Sequence, residues 1–287
     1  MPIRKIVVPL AGIDEDAATL ETALALGRRL QAHVEAFHAV VDPRDAVAFV
    51  GEGMTSTMIE QIMKAADKEG HQRNARAREL FDRLVGQYGV TRADRPASAG
   101  FSVAFVERVG REDDLVAERS RLADLIVAHK PPAASDSEPS LALEAALRET
   151  GRPVLVIPRT ITEAIGRTIA IAWNGSIEVS RALRFAMPFL KQAEKVVVLS
   201  VREEAHYGPP AEDAVDYLAW HGITSAAANL PGGARTQGQT LLAAAADNGA
   251  DMMVQGAYTR SRMRRLIFGG VTAEVLAQTT IPVLMTH

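Results

Sequence analysis

Cysteine is absent from this 287-residue sequence. Its absence excludes disulfides, thiolate nucleophiles and thiolate metal ligands, and it is consistent with a reducing compartment. Long apolar runs are also missing, since none approaches the roughly 20 residues that a membrane-crossing helix needs. Residues 1–9 lack the charged, apolar and small-residue order of a secretory signal. We therefore expect a cytoplasmic protein that has no membrane partner.

A strong charge of either sign is missing as well, because the formal net charge is only −3. Without a global basic surplus, we expect no nucleic-acid partner. Hydrophobic residues, in contrast, make up 47% of the chain, which is enough for a sizeable core. The length permits one large domain or two of about 140 residues.

Short apolar runs rich in β-branched residues alternate with helical patterns along the whole chain. Residues 3–10 and 33–41 are strand candidates, and residues 14–30 between them have helical spacing. This strand–helix–strand order with short connections is typical of a parallel sheet with crossover helices. A long amphipathic helix is predicted at 58–88, and the charges on its polar face favour a solvated surface over an interaction surface.

The same order of patterns occurs twice, which predicts two α/β domains in tandem, residues 1–159 and residues 160–287. The first half is longer in its middle, and we place the extra helical segment at about residues 42–68. Three pairs of positions anchor the repeat: Ala-Asp-Leu-Ile-Val at 123–127 and Ala-Asp-Met-Met-Val at 250–254, Arg-Pro-Val-Leu-Val at 152–156 and Ile-Pro-Val-Leu-Met at 281–285, and Gly12 and Gly175.

One stretch of the second half has the layout of an anion-binding loop. The apolar run at 252–254 is followed by Gly256, a basic segment, and the pair Gly269-Gly270, which opens a helical pattern. Glycines let a backbone come close to a ligand, and a helix N-terminus directs free N–H groups at negative charge. The arginines of the basic segment can pair with phosphate, although a solvated surface turn remains the alternative.

The motifs of the second half resemble those of the universal stress protein domain, and the whole chain resembles a tandem universal stress protein. The motifs are Trp173-Asn-Gly-Ser176, Gly256-Ala-Tyr-Thr259 separated by nine residues from Gly269-Gly-Val-Thr272, and Pro282-Val-Leu. The resemblance implies two tandem five-stranded parallel-sheet domains, Rossmann-like and similar to adenine nucleotide alpha hydrolases. It also implies a ligand groove at the carboxyl ends of the first and fourth strands of a domain, where open α/β sheets bind ligands.

In that family the ligand, where one is present, is ATP, so the resemblance implies an adenine nucleotide as the partner. Mg²⁺ would then enter only as the counter-ion of ATP. The nucleotide-binding residues implied for this chain are Trp173, Asn174, Gly175, Val201, Gly256, Thr259, Arg260, Arg262, Gly269, Gly270, Val271 and Thr272.

Several positions depart from the nucleotide-binding pattern of the family. Asn174 stands where an aspartate usually meets the nucleoside, and Thr259 stands where a second glycine is usual. Gly270 replaces a Ser or Thr whose hydroxyl would contact phosphate. The first half departs further, since Ala11 occupies the acidic position and no Gly-x-x-Gly follows Val127. We therefore predict that only the second half binds ATP.

Other polar residues are interpreted as structural. Ser176 lies at a strand-to-helix turn without a Gly-x-Ser-x-Gly pattern, so we predict that it is a helix N-cap. Asp14 or Asp16 is the predicted N-cap of the first helix. His221 has no second ligand at metal spacing, so we expect no metal site. We also expect no catalytic residue and, at most, a slow ATPase activity.

The resemblance also implies that the strands Val154–Ile157 and Val283–Thr286 pair antiparallel and join the two domains as an intramolecular pseudo-dimer. A homodimer of two chains remains open. Two functions are carried forward: a stress-response protein that binds ATP or a related nucleotide, and a nucleotide-free scaffold or regulator that acts through protein contacts or another small ligand. An enzyme acting on an unrelated substrate has little support.

Overall fold

The computed structural model describes residues 2–40, 42, 55–94, 100–130, 141–159, 165–201, 208–257 and 270–287. The chain divides into two compact units. The first unit comprises Ile3–Ala128 and Ser140–Thr150, and the second unit takes most of its residues from Gly151–His287. Both units are α/β, as predicted. None of the described helices combines the length and the apolarity needed to cross a membrane.

The first unit contains a parallel sheet with the strand order β3-β4-β2-β1-β5. Its strands are β1 Lys5–Leu10, β2 His33–Val40, β3 Thr91–Arg92, β4 Ser102–Val109 and β5 Leu125–His129. Its helices are α1 Asp16–Leu30, α2 Ser56–Tyr88, α3 Glu112–Ser120 and α4 Leu141–Glu149.

The second unit contains a sheet with the order β6-β11-β10-β7-β8-β9, in which only β6 runs antiparallel to its neighbour. Its strands are β6 Val154–Ile157, β7 Thr168–Ala172, β8 Lys195–Val201, β9 Ala226–Leu230, β10 Met252–Gly256 and β11 Val283–Thr286. Its helices are α5 Ile177–Leu190, α6 Ala211–Trp220, α7 Gln237–Asp247 and α8 Gly270–Gln278.

The predicted antiparallel pairing of Val154–Ile157 with Val283–Thr286 is confirmed. Val156 lies opposite Val283, and Val154 lies opposite Met285. Both strands are apolar and completely buried, so their pairing removes two sheet edges from solvent. This pairing places β6 in the second unit, whereas the predicted domain boundary falls after β6, at 159 and 160, and stays a prediction.

A pair of aspartates explains one anchor of the repeat. The carboxylate of Asp124 accepts the N–H groups of Arg4 and Lys5 at 2.8 and 3.0 Å. The carboxylate of Asp251 likewise accepts the N–H groups of residues 166–168, at 2.8 to 3.2 Å. In each unit, therefore, an aspartate fixes the backbone that enters a neighbouring strand. Asp124, before β5, holds the entry to β1, and Asp251, before β10, holds the entry to β7.

The long helix of the first half is confirmed as α2, which begins at Ser56 and ends at Tyr88. Its N-cap is Thr55, whose hydroxyl accepts the N–H of Met58 at 3.4 Å, and Gly89 ends it in a left-handed conformation. The corresponding helix of the second unit, α6, has only 10 residues. The extra residues thus contribute to a longer helix, while residues 43–54 lie outside the described part of the chain.

Candidate functional site

The second unit has its topological switch point between β7 and β10. These strands pair in parallel, with Ala172 opposite Gln255. From β7 the sheet continues through β8 on one side, and from β10 it continues through β11 on the other. The connections therefore leave the carboxyl ends of β7 and β10 in opposite directions, which opens a crevice where α/β sheets bind ligands.

The turn that follows β7 is held by its own side chains. Asn174 accepts the N–H of Ser176 through its side-chain oxygen at 3.1 Å. Ser176 then accepts the N–H of Val179 at 3.3 Å, which confirms its prediction as the N-cap of α5. Gly175 has a φ of 71°, a left-handed conformation that glycine adopts without strain.

The backbone amides of this turn are available for an acceptor. Within the described residues, the N–H groups of Asn174 and Gly175 donate to no protein oxygen, whereas that of Ser176 is bonded to Asn174. The turn leads directly into the N-terminus of α5, where the helix dipole favours negative charge. We call the amides of Asn174 and Gly175 the open amide pair.

The first unit has the same turn after β1, but an internal carboxylate occupies it. Gly12 has a φ of 72°, which matches the value at Gly175. Asp16 is completely buried, and its carboxylate accepts the N–H groups of Ala11, Gly12 and Ile13 at 3.2, 2.7 and 3.1 Å. The amides that correspond to the open amide pair are therefore satisfied by the protein itself.

Asp14 or Asp16 was predicted to be the N-cap of α1, and that prediction was wrong for both residues. The helix begins at Asp16, after Glu15, and no side chain caps it. The carboxylate turns back towards the preceding loop, because the loop presents three amides that no strand or helix satisfies. In the repeat alignment Val179 stands at the position of Asp16, four residues after Gly175, so the second unit has no equivalent acceptor.

Helix α2 also covers the turn of the first unit. A β-carbon placed on Gly12 would lie only 2.3 Å from the carbonyl oxygen of Arg73, so the α2 backbone rests directly on this glycine. The side chain of Arg76 donates to the carbonyl oxygen of Gly12 at 2.8 Å. These contacts fill the turn of the first unit with its own chain, and the absence of ATP binding by the first half stays a prediction.

In the second unit, the segment at 208–209 contacts part of the turn after β7. The indole N–H of Trp173, a buried residue, donates to the carbonyl oxygen of Pro209 at 2.8 Å. A β-carbon on Gly208 would lie 2.1 Å from the carbonyl oxygen of Gly175. The segment at 208–209 therefore contacts the carbonyl oxygen of Gly175, and no described residue accepts the amides of Asn174 and Gly175.

Gly256, at the end of β10, has a role that does not depend on a ligand. A β-carbon there would lie 2.7 Å from the N atom of Val179 and 2.8 Å from Cβ of Glu178. Glycine is thus required by the close packing of β10 on the first turn of α5. The hydroxyl of Thr286 adds a hydrogen bond of 2.8 Å to the carbonyl oxygen of Glu178.

The other predicted site residues divide into two groups. Val201 ends β8 beside the crevice, Gly270 is the exposed first residue of α8, Val271 is half-buried, and Thr272 is buried in the first turn. The remaining predicted residues lie outside the described part of the chain: Thr259, Arg260, Arg262 and Gly269.

Sequence reasoning missed Gln255, the residue before Gly256. Its side chain is 3% exposed, and neither its oxygen nor its nitrogen has a hydrogen-bond partner within the described residues. Because strand residues alternate, Gln255 faces the side of the sheet opposite α5. A buried unpaired amide next to the switch point fits a water or a polar ligand group. The available signal was a single polar residue in an otherwise apolar strand.

The described residues offer little for metal chemistry. Across those ranges, no three His, Asp or Glu side chains are grouped so that they could hold a metal ion. Among the described residues, the site presents backbone N–H groups and one buried amide. Such groups bind and orient acceptor atoms.

Comparisons with known proteins identify relatives of the chain. Residues 234–287 match the model of the universal stress protein family. The universal stress protein Slr1230 of Synechocystis sp. is 28% identical over 149 residues, which are 50% of this chain and 49% of that protein. The match thus spans about half the length of this curated relative.

Two solved structures are similar over almost the whole chain. A universal stress protein from Archaeoglobus fulgidus has a TM-score of 0.66 at 13% identity, covering 98% of this chain and 97% of that one. A putative universal stress protein from Pseudomonas aeruginosa has a TM-score of 0.55 at 16% identity, covering 99% and 93%. At such identities the likeness shows the fold, which is the α/β fold predicted from the sequence.

Proposed function

We propose, given that the chain belongs to the universal stress protein family, that it is a stress-response protein whose second unit binds ATP or a related adenine nucleotide. The ligand lies at the carboxyl ends of β7 and β10. The observation that carries the proposal is the contrast between the two turns after β1 and β7. One is filled by the Asp16 carboxylate, and the other has an open amide pair.

A nucleotide suits this site for two reasons. Its base and ribose carry acceptor atoms that two N–H groups and the side chain of Asn174 can recognise. Its phosphates are anions, which suit the N-termini of α5 and α8 and the arginines predicted to follow Gly256. The described part of the site brings no acid, base and nucleophile together, and the proposal is binding with little or no hydrolysis.

The test fills the open amide pair from within the chain. In Val179→Asp a carboxylate stands where Asp16 stands in the first unit. We expect the full chain to bind a fluorescent ATP analogue saturably in the micromolar range, and Val179→Asp to weaken that binding at least tenfold. Val179→Leu is the matched control and should retain binding. Circular dichroism must show that both variants are folded.

A second pair of variants changes charged residues of the predicted phosphate loop. Arg260→Gln and Arg262→Gln change the basic segment predicted to hold the phosphates, and Arg235→Gln, at an exposed position elsewhere in the second unit, is their control. We expect the first two to raise the dissociation constant at least tenfold in low salt, and the control to leave it unchanged. No saturable binding at millimolar nucleotide would refute the proposal.

One observation favours the alternative of a nucleotide-free scaffold or regulator. The segment at 208–209 already contacts Gly175 and is tied to Trp173, so part of the space beside the turn is occupied by protein. If no nucleotide binds, this contact is the reason, and the second unit then acts through its surface.

A further inference from the structure

A hollow of about 480 Å³ lies beside α5 and extends to Gly175 in the turn after β7. Its volume is within the range of about 300–1,000 Å³ that is usual for small-molecule sites. Six of the residues that line it are Gly175, Ile177, Arg181, Arg184, Phe185 and Pro209.

The floor of the hollow is apolar. Ile177 and Phe185 are separated by eight residues on α5, so they lie on one stripe of the helix with Arg181 between them. Ile177 is 67% exposed, which is unusual for a large apolar side chain in the first turn of a helix. Pro209 completes the floor, because the indole of Trp173 holds its carbonyl oxygen.

The rim of the hollow is cationic. Arg181 and Arg184 are both exposed, and within the described residues neither lies within ion-pair distance of an Asp or Glu carboxylate. One N–H of Arg181 donates to an oxygen of His287 at 3.2 Å, and a guanidinium has five N–H donors in all. Among the described residues, therefore, neither guanidinium beside the apolar floor is paired with an Asp or Glu carboxylate.

We propose that this hollow binds an amphipathic organic anion, with its acidic group on Arg181 and Arg184 and its apolar body on Ile177, Phe185 and Pro209. A carboxylate or a phosphate can accept two parallel N–H bonds from a guanidinium. The hollow shares Gly175 with the open amide pair. The inference nevertheless does not require nucleotide binding, because the groups that would hold the anion are the side chains of α5 and Pro209 and not the amides of the turn.

The test is a titration of the ¹⁵N- and methyl-labelled full chain followed by NMR. Octanoate probes an aliphatic ligand, 2-naphthoate probes an aromatic one, and octan-1-ol is the neutral control. We expect at least one anion to shift the Ile177 methyl and Trp173 indole signals saturably. The double variant Arg181→Gln/Arg184→Gln should raise its dissociation constant at least tenfold, and Arg235→Gln should leave it unchanged.

Three results would overturn the inference: octan-1-ol binding as tightly as the anions, equal affinity in the double variant, or signal changes that never saturate. Displacement of the bound anion by the ATP analogue would also overturn it, because the hollow would then be part of the nucleotide site. Absence of nucleotide binding, in contrast, contradicts only the proposed function. Ile177→Asn provides a second variant, and it should weaken the anion without changing the charge.

Discussion

The carboxylate of Asp16 is expected to be one of the largest single contributions to the stability of the first unit. Asp16→Ala removes the acceptor of three N–H groups that precede α1. Those groups lie between a strand and a helix, so no regular structure can take over their hydrogen bonds. The side chain is completely buried, and helix α2 covers the same turn, which limits the entry of water.

The magnitude follows from the three contacts. The bond to Gly12, at 2.7 Å, is the shortest and is buried, while the bonds to Ala11 and Ile13, at 3.2 and 3.1 Å, are partly buried. A buried donor left unsatisfied costs about 1–3 kcal/mol. Counting the full cost for Gly12 and about half for each of the others, we expect a loss of about 2–6 kcal/mol for Asp16→Ala. Asp16→Asn keeps one oxygen as an acceptor, so its loss of stability should be about half of that of Asp16→Ala.

The assay combines urea unfolding with native-state hydrogen exchange, since a chain with two units need not unfold in two states. Asp14→Ala is the matched control, because it removes the same charge from an exposed position in the same loop, and it should change stability by at most about 0.5 kcal/mol. Exchange should accelerate at the amide of Gly12 in Asp16→Ala. If the two variants are equally stable and the protection of Gly12 is unchanged, the reasoning is refuted.

Three further predictions concern single contacts. Arg119→Gln should destabilise the first unit by about 1.5–3 kcal/mol in urea unfolding, because the buried carboxylate of Glu35 loses a bidentate partner at 2.6 and 2.7 Å but keeps Lys5 at 3.1 Å; a loss below about 1 kcal/mol would contradict this. Burial lowers the pKa of His33 in the folded state, although Glu35 opposes the shift. As the pH is lowered from about 7 to about 5, the unfolded chain therefore binds this proton first, so the free energy of unfolding should decrease, and His33→Gln should remove that decrease. Gly256→Ala should destabilise the second unit by about 1–3 kcal/mol with no ligand present, and a neutral effect in thermal unfolding would show that β10 and α5 can separate.

The fold could be predicted from the sequence because its signals are local or repeated. Apolar runs ended by glycine predict strands, and a duplicated segment is informative even before its role is known. In the sequence, Asp124 and Asp251 were recognised only as matching positions of the repeat. In the structure, their carboxylates accept the amides that lead into β1 and β7. The antiparallel pair of β6 and β11 came from the resemblance alone, since nothing in two short apolar strands specifies their partner.

The candidate site was less predictable because it depends on contacts between distant residues. Helical periodicity cannot show that Arg73 rests on Gly12, 61 positions earlier, or that the carboxylate of Asp16 turns away from its own helix. Gly256 fits a ligand loop and a helix contact equally well in sequence, and only the distance to α5 separates the two roles. Gln255 became notable only when its burial and its missing partners were seen together.

The two turns differ in what can satisfy them, and this difference limits their functions. An acceptor on the same chain, such as Asp16, is always present and binds without loss of translational freedom, whereas a free ligand loses about 4 kcal/mol or more on association. A ligand could replace the Asp16 carboxylate only by overcoming that advantage and moving α2 as well. The turn after β7 has Val179 at the equivalent position, and no described residue provides that acceptor. Under the proposed function a nucleotide provides it, and of these two turns only the one after β7 then responds to the concentration of a ligand.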